Sequence, residues 1–264
     1  MNGITLNIEH FPVILALVNY TYQLPILLYH RVVNETSAIG RHKLYVKEKQ
    51  FRRQMQWLSD NGYQTLTFRD LEHLPAQDGN NKKVILTFDD GYADNYSIMF
   101  PILKEFGFKA VIFLVTGLKW NEWGTAEGEP TLDLLNTQQV HEMDAYGIEF
   151  GGHTQHHIDM KESSEAIQRK EINGCFKDLE ELLDKKPVSF SYPFGAYNED
   201  TLKLIGESAF SFGITTIFGP EEWTQDELRI RRIEIGPKTN MMSFRRKVSG
   251  RYLQTNRLNY YINR

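Results

Sequence analysis

Residues 84–92 read Val84-Ile85-Leu86-Thr87-Phe88-Asp89-Asp90-Gly91-Tyr92. A β-forming run without charge describes a strand covered on both faces, as in a parallel sheet. The run ends directly in two acids and a glycine. In a parallel barrel, the C-terminal strand ends form the face on which active sites are built. Two adjacent carboxylates there repel unless a cation or a proton lies between them. Because neighbouring side chains diverge, the two acids can also hold different tasks. The alternative reading is a plain β-turn, for which Asp-Gly is a common dipeptide.

Outward from this run, similar apolar segments recur at 25–30, 64–68, 109–115, 148–152, 189–192, 210–216 and 228–235. Helical spacing lies between several of them. Phe51, Met55 and Leu58 precede Gly62; Tyr96, Phe100 and Leu103 precede Gly107; Ile172, Phe176, Leu179 and Leu183 precede Pro187. Strands alternating with helices predict βαβ units and a parallel sheet. About eight strands without a Gly-rich phosphate loop favour an α/β barrel over a Rossmann sheet. The longest irregular stretch, 116–137, holds Trp120 and Trp123, and loops of this length are usually functional or disordered.

Two further constellations follow strands. Gly151-Gly152-His153-Thr154-Gln155-His156-His157 places three of the chain's eight histidines within five residues. His153 and His157, four apart, can share a metal, and two imidazoles with one carboxylate leave a fourth position open on zinc. His156 reads as a supporting or surface residue, and the alternative for the whole group is a surface histidine cluster. Phe190-Ser191-Tyr192-Pro193-Phe194-Gly195 predicts a sharp turn whose backbone N–H can face a developing oxyanion. By itself it reads equally as an ordinary turn.

Composition sets the outer limits. The 264 residues are 41% hydrophobic and 24% charged, which excludes a disordered chain, a collagen-like repeat and a coiled coil. A single cysteine, Cys175, excludes an internal disulfide and a cysteine-rich zinc module. The net charge is −4, yet residues 229–264 hold ten Lys and Arg against one acid, Glu234. That asymmetry predicts either a solvated terminus or a contact with an anionic glycan or membrane surface. Nucleic acid is not expected, because the remainder is acidic and no reading motif is present. The apolar run at 11–18 is too short to span a bilayer, and no Lys or Arg precedes Arg31, so a cytoplasmic, possibly membrane-associated, location is expected. The expected layout is an N-terminal extension at 1–23, one domain at 24–240 and a basic tail at 241–264.

Taken together, Thr-Phe-Asp-Asp-Gly, His-Thr-x-x-His and Pro-x-Gly resemble the NodB-type polysaccharide deacetylases, which are metal-dependent carbohydrate esterases. The stretch 25–32, Pro-Ile-Leu-Leu-Tyr-His-Arg-Val, followed by Phe51, Leu58 and Asn61-Gly62-Tyr63, is similar to the subgroup that deacetylates poly-N-acetylglucosamine. The resemblance covers roughly residues 24–235. It implies a distorted (β/α) barrel of seven to eight parallel strands and hydrolysis of an acetamide on an N-acetylated glycan or glycolipid. It further implies Asp89 as general base, Asp90, His153 and His157 as metal ligands, and the Phe194 N–H as oxyanion donor. The implied cofactor is one divalent ion, Zn2+ first, with Co2+ or Ni2+ as alternatives.

The chain departs from the family pattern twice. Ser191 stands where an arginine usually orients the base, and no histidine follows His157 to act as the late general acid. His30 is the candidate for the acid or a substrate contact, with a structural histidine as the other reading. Arg231 or Arg232 is the candidate replacement for the missing arginine. Tyr192, Pro193, Arg232 and Trp120 are the expected substrate contacts; Trp120 and Trp123 both offer a ring to stack on a sugar, with loop packing as the other reading. An O-deacetylase, a non-sugar amide hydrolase or a non-catalytic carbohydrate-binding protein on the same fold are the alternatives, since fold does not fix substrate.

Overall fold

A computed structural model describes residues 24–72, 82–125, 128–216 and 226–249. The expected extension at 1–23 and the end of the basic tail lie outside the described residues. In chain order the strands are β1 (Ile26–Tyr29), β2 (Arg31–Val33), β3 (Tyr45–Lys47), β4 (Gln64–Leu66), β5 (Lys83–Phe88), β6 (Val111–Leu114), β7 (Glu149–Gly152), β8 (Ser189–Ser191), β9 (Phe212–Ile214) and β10 (Ile233–Glu234). The helices are α1 (Glu48–Asp60), α2 (Phe68–Leu71), α3 (Phe100–Phe106), α4 (Glu122–Thr125), α5 (Thr137–Tyr146), α6 (Glu165–Leu183), α7 (Glu199–Glu207) and α8 (Met241–Val248).

Eight strands form one parallel sheet in the order β10-β1-β5-β6-β7-β8-β9, with β4 also on β5. Strands β4 and β6 share one edge of β5: Leu66 pairs with Ile85, and Val111 pairs with Thr87. The sheet curls until its ends approach. Ile230 donates to the Gly213 carbonyl at 2.9 Å, the Thr215 N–H donates to the Ile230 carbonyl at 2.8 Å, and Ile233 pairs with Leu27. This is the barrel that the alternating pattern predicts, in the distorted form that the family resemblance implies.

Strand parity then sorts the side chains. On β5, Val84, Leu86 and Phe88 join the large cluster beneath the helices, whereas Ile85 joins the inner cluster with Ile26, Val111, Phe113, Phe212 and Ile230. Period-two alternation puts Thr87 and Asp89 on the inner side with Ile85, and Arg232 on the inner side with Ile230. The polar residues at the top of the barrel are thereby stacked on an apolar plug.

Several boundaries differ from the sequence reading. The segment at 64–68 stops at Leu66 because Thr67 and Asp70 form a reciprocal capping box that starts α2. The segment at 228–235 contracts to Ile233–Glu234, since Leu228 and Arg229 are tied in a turn to Asp226. The β2–β3 pair and α5, capped by Asn136 and Gln139 and closed by Gly147, lack a strong enough periodicity to stand out. The basic segment expected as a tail from 241 is in part structural: α8 buries Phe244 and Val248, with Phe244 edge-on to Trp57 at 6.0 Å. Among the described residues, no helix is long and apolar enough to cross a membrane.

Candidate metal centre and active-site cleft

Asp90, His153 and His157 are all buried, and their ligand atoms lie within 4.8 Å of one another. Nε2 of His153 is 3.4 Å, and Nε2 of His157 3.2 Å, from the same oxygen, Asp90 Oδ1. That oxygen has no hydrogen-bond partner. Buried polar atoms are normally bonded, so an orphan here calls for a further group. Nitrogen and oxygen ligands ~2.0–2.1 Å from a tetrahedral ion stand about 3.3 Å apart, close to both separations. His153 Nδ1 donates to the Ser191 carbonyl at 2.7 Å, which fixes the tautomer and leaves the Nε2 lone pair for a cation. The donor set, one carboxylate and two imidazoles, fits a divalent ion of the zinc type.

The local backbone is built for this convergence. Asp90, Thr154, His157 and Phe194 are four of the six described non-glycine residues with positive φ. Such conformations cost of order 1–3 kcal/mol each and persist only where surrounding structure holds them. Before His153, a Cβ on Gly151 would come within 2.6 Å of the Ser189 carbonyl oxygen, and one on Gly152 within 3.0 Å of Cys175 Sγ. The two glycines let β7 close against β8 and α6, and so deliver His153 to the top of the barrel.

Beside the metal ligands, Asp89 is gripped by Arg232. Nη1 donates to Oδ1 at 2.6 Å and Nη2 to Oδ2 at 2.7 Å, while Nη2 also donates to Ser191 Oγ at 2.9 Å. The arginine is anchored through Nε to the Thr215 carbonyl at 3.2 Å and lies over the Phe113 ring. Burial pushes the Asp89 carboxyl up, but the Arg232 guanidinium outweighs it and holds the group below the usual carboxylate range. Burial likewise pushes Asp90 up, and the facing imidazoles outweigh it, leaving that carboxyl well below the ordinary range. At His157 burial prevails and lowers the pKa, which favours the neutral, ligating imidazole. At His153 the neighbouring carboxylates outweigh burial and raise it.

Asp89, Asp90, His153 and His157 line a cleft of about 500 Å³ together with His30, Tyr45, Trp123 and Phe194. Trp123 stacks on His157 with ring centroids 4.2 Å apart, and Phe194 meets the same imidazole edge-on at 4.6 Å. Phe194 sits at φ 59°, and the bonds that close its turn, Gly195 N–H to the Tyr192 carbonyl and Ala196 N–H to the Pro193 carbonyl, leave the Phe194 N–H unused.

Three of the expected substrate contacts stand elsewhere. Tyr192 is buried with its hydroxyl committed to the Leu228 carbonyl at 2.8 Å, Pro193 is buried beneath the turn, and Trp120 pairs with Asp133 outside the cleft. Arg232 is fully buried under Asp89 and does not face the opening. The wall that sequence reading missed is residues 40–45, held where Glu129 accepts the backbone N–H groups of Arg41 and His42 at 2.5 and 3.1 Å. Arg31 also lines the cleft, paired with Asp94 at 2.7 Å. Its position directly after His30 at a strand end was the only signal for it.

The family model for polysaccharide deacetylase matches residues 76–212. YxkH of Bacillus subtilis (strain 168) is 34% identical over 224 residues, covering 84% of this chain and 75% of that one. The chain belongs to the polysaccharide deacetylase family. Poly-beta-1,6-N-acetyl-D-glucosamine N-deacetylase of Staphylococcus epidermidis is 27% identical over 227 residues, or 78% of this chain and 77% of that protein. The solved Streptococcus pyogenes deacetylase PplD, in complex with acetate, superposes with a TM-score of 0.73 at 28% identity, covering 86% of this chain and 98% of that one. As a polysaccharide deacetylase, the chain carries the family's distorted barrel with the carboxylate and histidine residues at its C-terminal face.

Proposed function

We propose that this polysaccharide deacetylase is a metal-dependent de-N-acetylase that hydrolyses the acetamide of an N-acetylated amino sugar within a glycan or glycolipid. The observation that carries the reading is the convergence of two imidazole nitrogens on the unpartnered Asp90 Oδ1, beside a second carboxylate kept ionised by Arg232. The amino-sugar class is supported by the Staphylococcus epidermidis relative, an N-deacetylase of poly-N-acetylglucosamine.

A divalent ion held by Asp90, His153 and His157, Zn2+ in our reading, supplies Lewis acidity toward the acetamide carbonyl and lowers the pKa of a water. Asp89 accepts the proton of the attacking water as general base. Arg232 keeps Asp89 oriented and ionised, and stands in for the arginine that Ser191 replaces. The Phe194 N–H donates to the oxygen that gains charge as the carbonyl becomes tetrahedral. In this reading His30, which lines the same cleft, protonates the departing amine, so that acetate and a free amino sugar are released. The Trp123 and Phe194 rings flank His157 and hold its imidazole in place.

The test is metal content of the purified chain together with acetate release from N-acetylglucosamine oligomers and N-acetylated glycolipids, before and after chelation. About one ion per chain with chelator-sensitive release is expected. Asp89→Asn is expected to retain the metal and lose activity about 10²- to 10⁴-fold. Release of acetate from O-acetyl esters alone would favour an O-deacetylase. Bound metal with no release from any of these, and no effect of Asp89→Asn, would favour a binding protein.

A further inference from the structure

The loop that carries His157 has no regular secondary structure, and two of its residues, Thr154 and His157, have positive φ. Something outside the loop must hold it. Glu171, buried in the first half of α6, reaches across to it. Its Oε2 accepts the backbone N–H groups of Gln155 and His156, both at 2.9 Å, and its Oε1 lies 2.7 Å from His156 Nδ1. About two turns further along the same helix, Asp178 accepts from Gln155 Nε2 at 2.8 Å and from Thr116 Oγ1 at 2.6 Å. From the other side, the Gly117 N–H donates to the Gln155 carbonyl at 2.8 Å. The surroundings make room for this arrangement: a Cβ on Gly174 would fall 2.2 Å from Gln155 Oε1, and one on Gly117 2.7 Å from the Gln155 carbonyl oxygen.

We propose that Glu171 is a positioning residue for the metal centre: it holds the 154–157 backbone in the conformation that presents His157 to Asp90 and His153. The inference rests on the metal centre proposed above and adds a residue that does not touch the ion. Two N–H groups bonded to one buried carboxylate are charge-assisted and stronger than neutral bonds. Without them the backbone that leads into the left-handed conformation of His157 loses two of its bonds to α6, and the ligand set loses preorganisation. His156 contributes its backbone N–H to the clamp, and its half-exposed imidazole is secondary.

The test measures metal affinity of the full chain by competition with a chelator of known affinity, using Zn2+, and the visible absorption of the Co2+-loaded protein. Glu171→Ala is expected to weaken metal binding about 10- to 100-fold, the range found when groups supporting metal ligands are removed. Its Co2+ spectrum is expected to change. Glu171→Gln is expected to stay within about threefold of wild type, because its amide oxygen still accepts both N–H groups. His156→Ala is expected to lie near wild type. If Glu171→Ala folds poorly, Glu171→Asp, whose carboxylate stops one methylene short, is expected to show an intermediate loss. Unchanged affinity and spectrum in Glu171→Ala or Glu171→Asp, beside a wild type that binds metal, would overturn the clamp alone. Failure of the wild type to bind metal would overturn the metal centre and the clamp together.

Discussion

Arg232 and Asp89 face each other inside the barrel through a two-pronged contact, 2.6 and 2.7 Å, with the arginine side chain fully buried. They are 143 residues apart in the chain. The guanidinium enters from the last strand, whereas the motif position usually given to such an arginine is occupied by Ser191, whose hydroxyl accepts from the same guanidinium. A small residue at 191 leaves space that an arginine from β10's approach fills. A buried guanidinium thus meets Asp89 from a part of the sequence far from the motif.

Arg232→Met is expected to lower kcat at least about 10²-fold with metal content unchanged. It also leaves a buried carboxylate without its partner, a loss of about 3–5 kcal/mol. The sign of the pH effect follows from the direction of the Asp89 shift. With Arg232 present, the folded pKa is depressed, so the pair's stabilisation is present above the unfolded carboxylate pKa and is lost as pH falls through the folded value. Without it, burial loses its main opponent, with only His153 and His30 still acting against it, and the acidic limb of the kcat/KM profile moves to higher pH. Arg232→Lys restores the charge and not the fork, so partial rescue is expected. The pH–rate profiles of the three proteins check this.

Removal of the divalent ion is expected to lower thermal stability as well as activity. Binding to the folded state alone contributes about 2.7 kcal/mol when free ion is a hundred times Kd. For a domain of this size that corresponds to roughly 5–10 °C in Tm. Calorimetry with and without chelator gives the shift. His157→Ala is expected to abolish the difference between the two scans.

Cys175 lies under Gly152, and burial pushes its thiol up to about 12. A thiol of this kind is unreactive in the native state. Titration with a thiol reagent is expected to label no cysteine in the folded chain and one after denaturation. Rapid labelling of the native protein would show that the β7–α6 contact opens readily.

Asp94 gives a second pH signature of opposite sense. Burial raises its carboxyl to about 6, with the paired Arg31 offsetting only part of the cost. A carboxyl with a raised folded pKa binds more protons folded than unfolded between about pH 4 and 6. Its contribution to stability is therefore full below the unfolded pKa and is lost as pH rises through about 6. Denaturation midpoints of wild type and Asp94→Asn across that interval are expected to diverge, with the wild type losing relative stability as pH increases.

The strand pattern around Val84-Ile85-Leu86-Thr87-Phe88 was legible because its apolar residues are local and continuous. So were Asp89, Asp90, His153 and His157, which sit within two short motifs at strand ends and come together in the structure. Residue type alone offers both Trp120 and Trp123 as rings that could stack on a sugar. Of the two, Trp123 lines the cleft, whereas Trp120 pairs with Asp133 outside it. The helix α5 and the β2–β3 pair were missed for another reason. Their stability comes from caps and from pairing with distant segments rather than from an apolar period.

The sequence by itself determined the apolar strands that build the main sheet, which of their ends carry acids and histidines, and which residue types a divalent ion would meet, because these depend on short-range pattern and on side-chain chemistry. It narrowed the replacement arginine to Arg231 or Arg232 and went no further. Only the tertiary structure sets Arg232 against Asp89, since that contact depends on which face of the closing strand looks into the barrel, and that is set by pairing with β1 and β9. The same holds for Glu171, whose role depends on a helix lying against a loop some fifteen residues before it. Contacts between separate elements are decided by packing, and packing leaves little trace in a linear pattern.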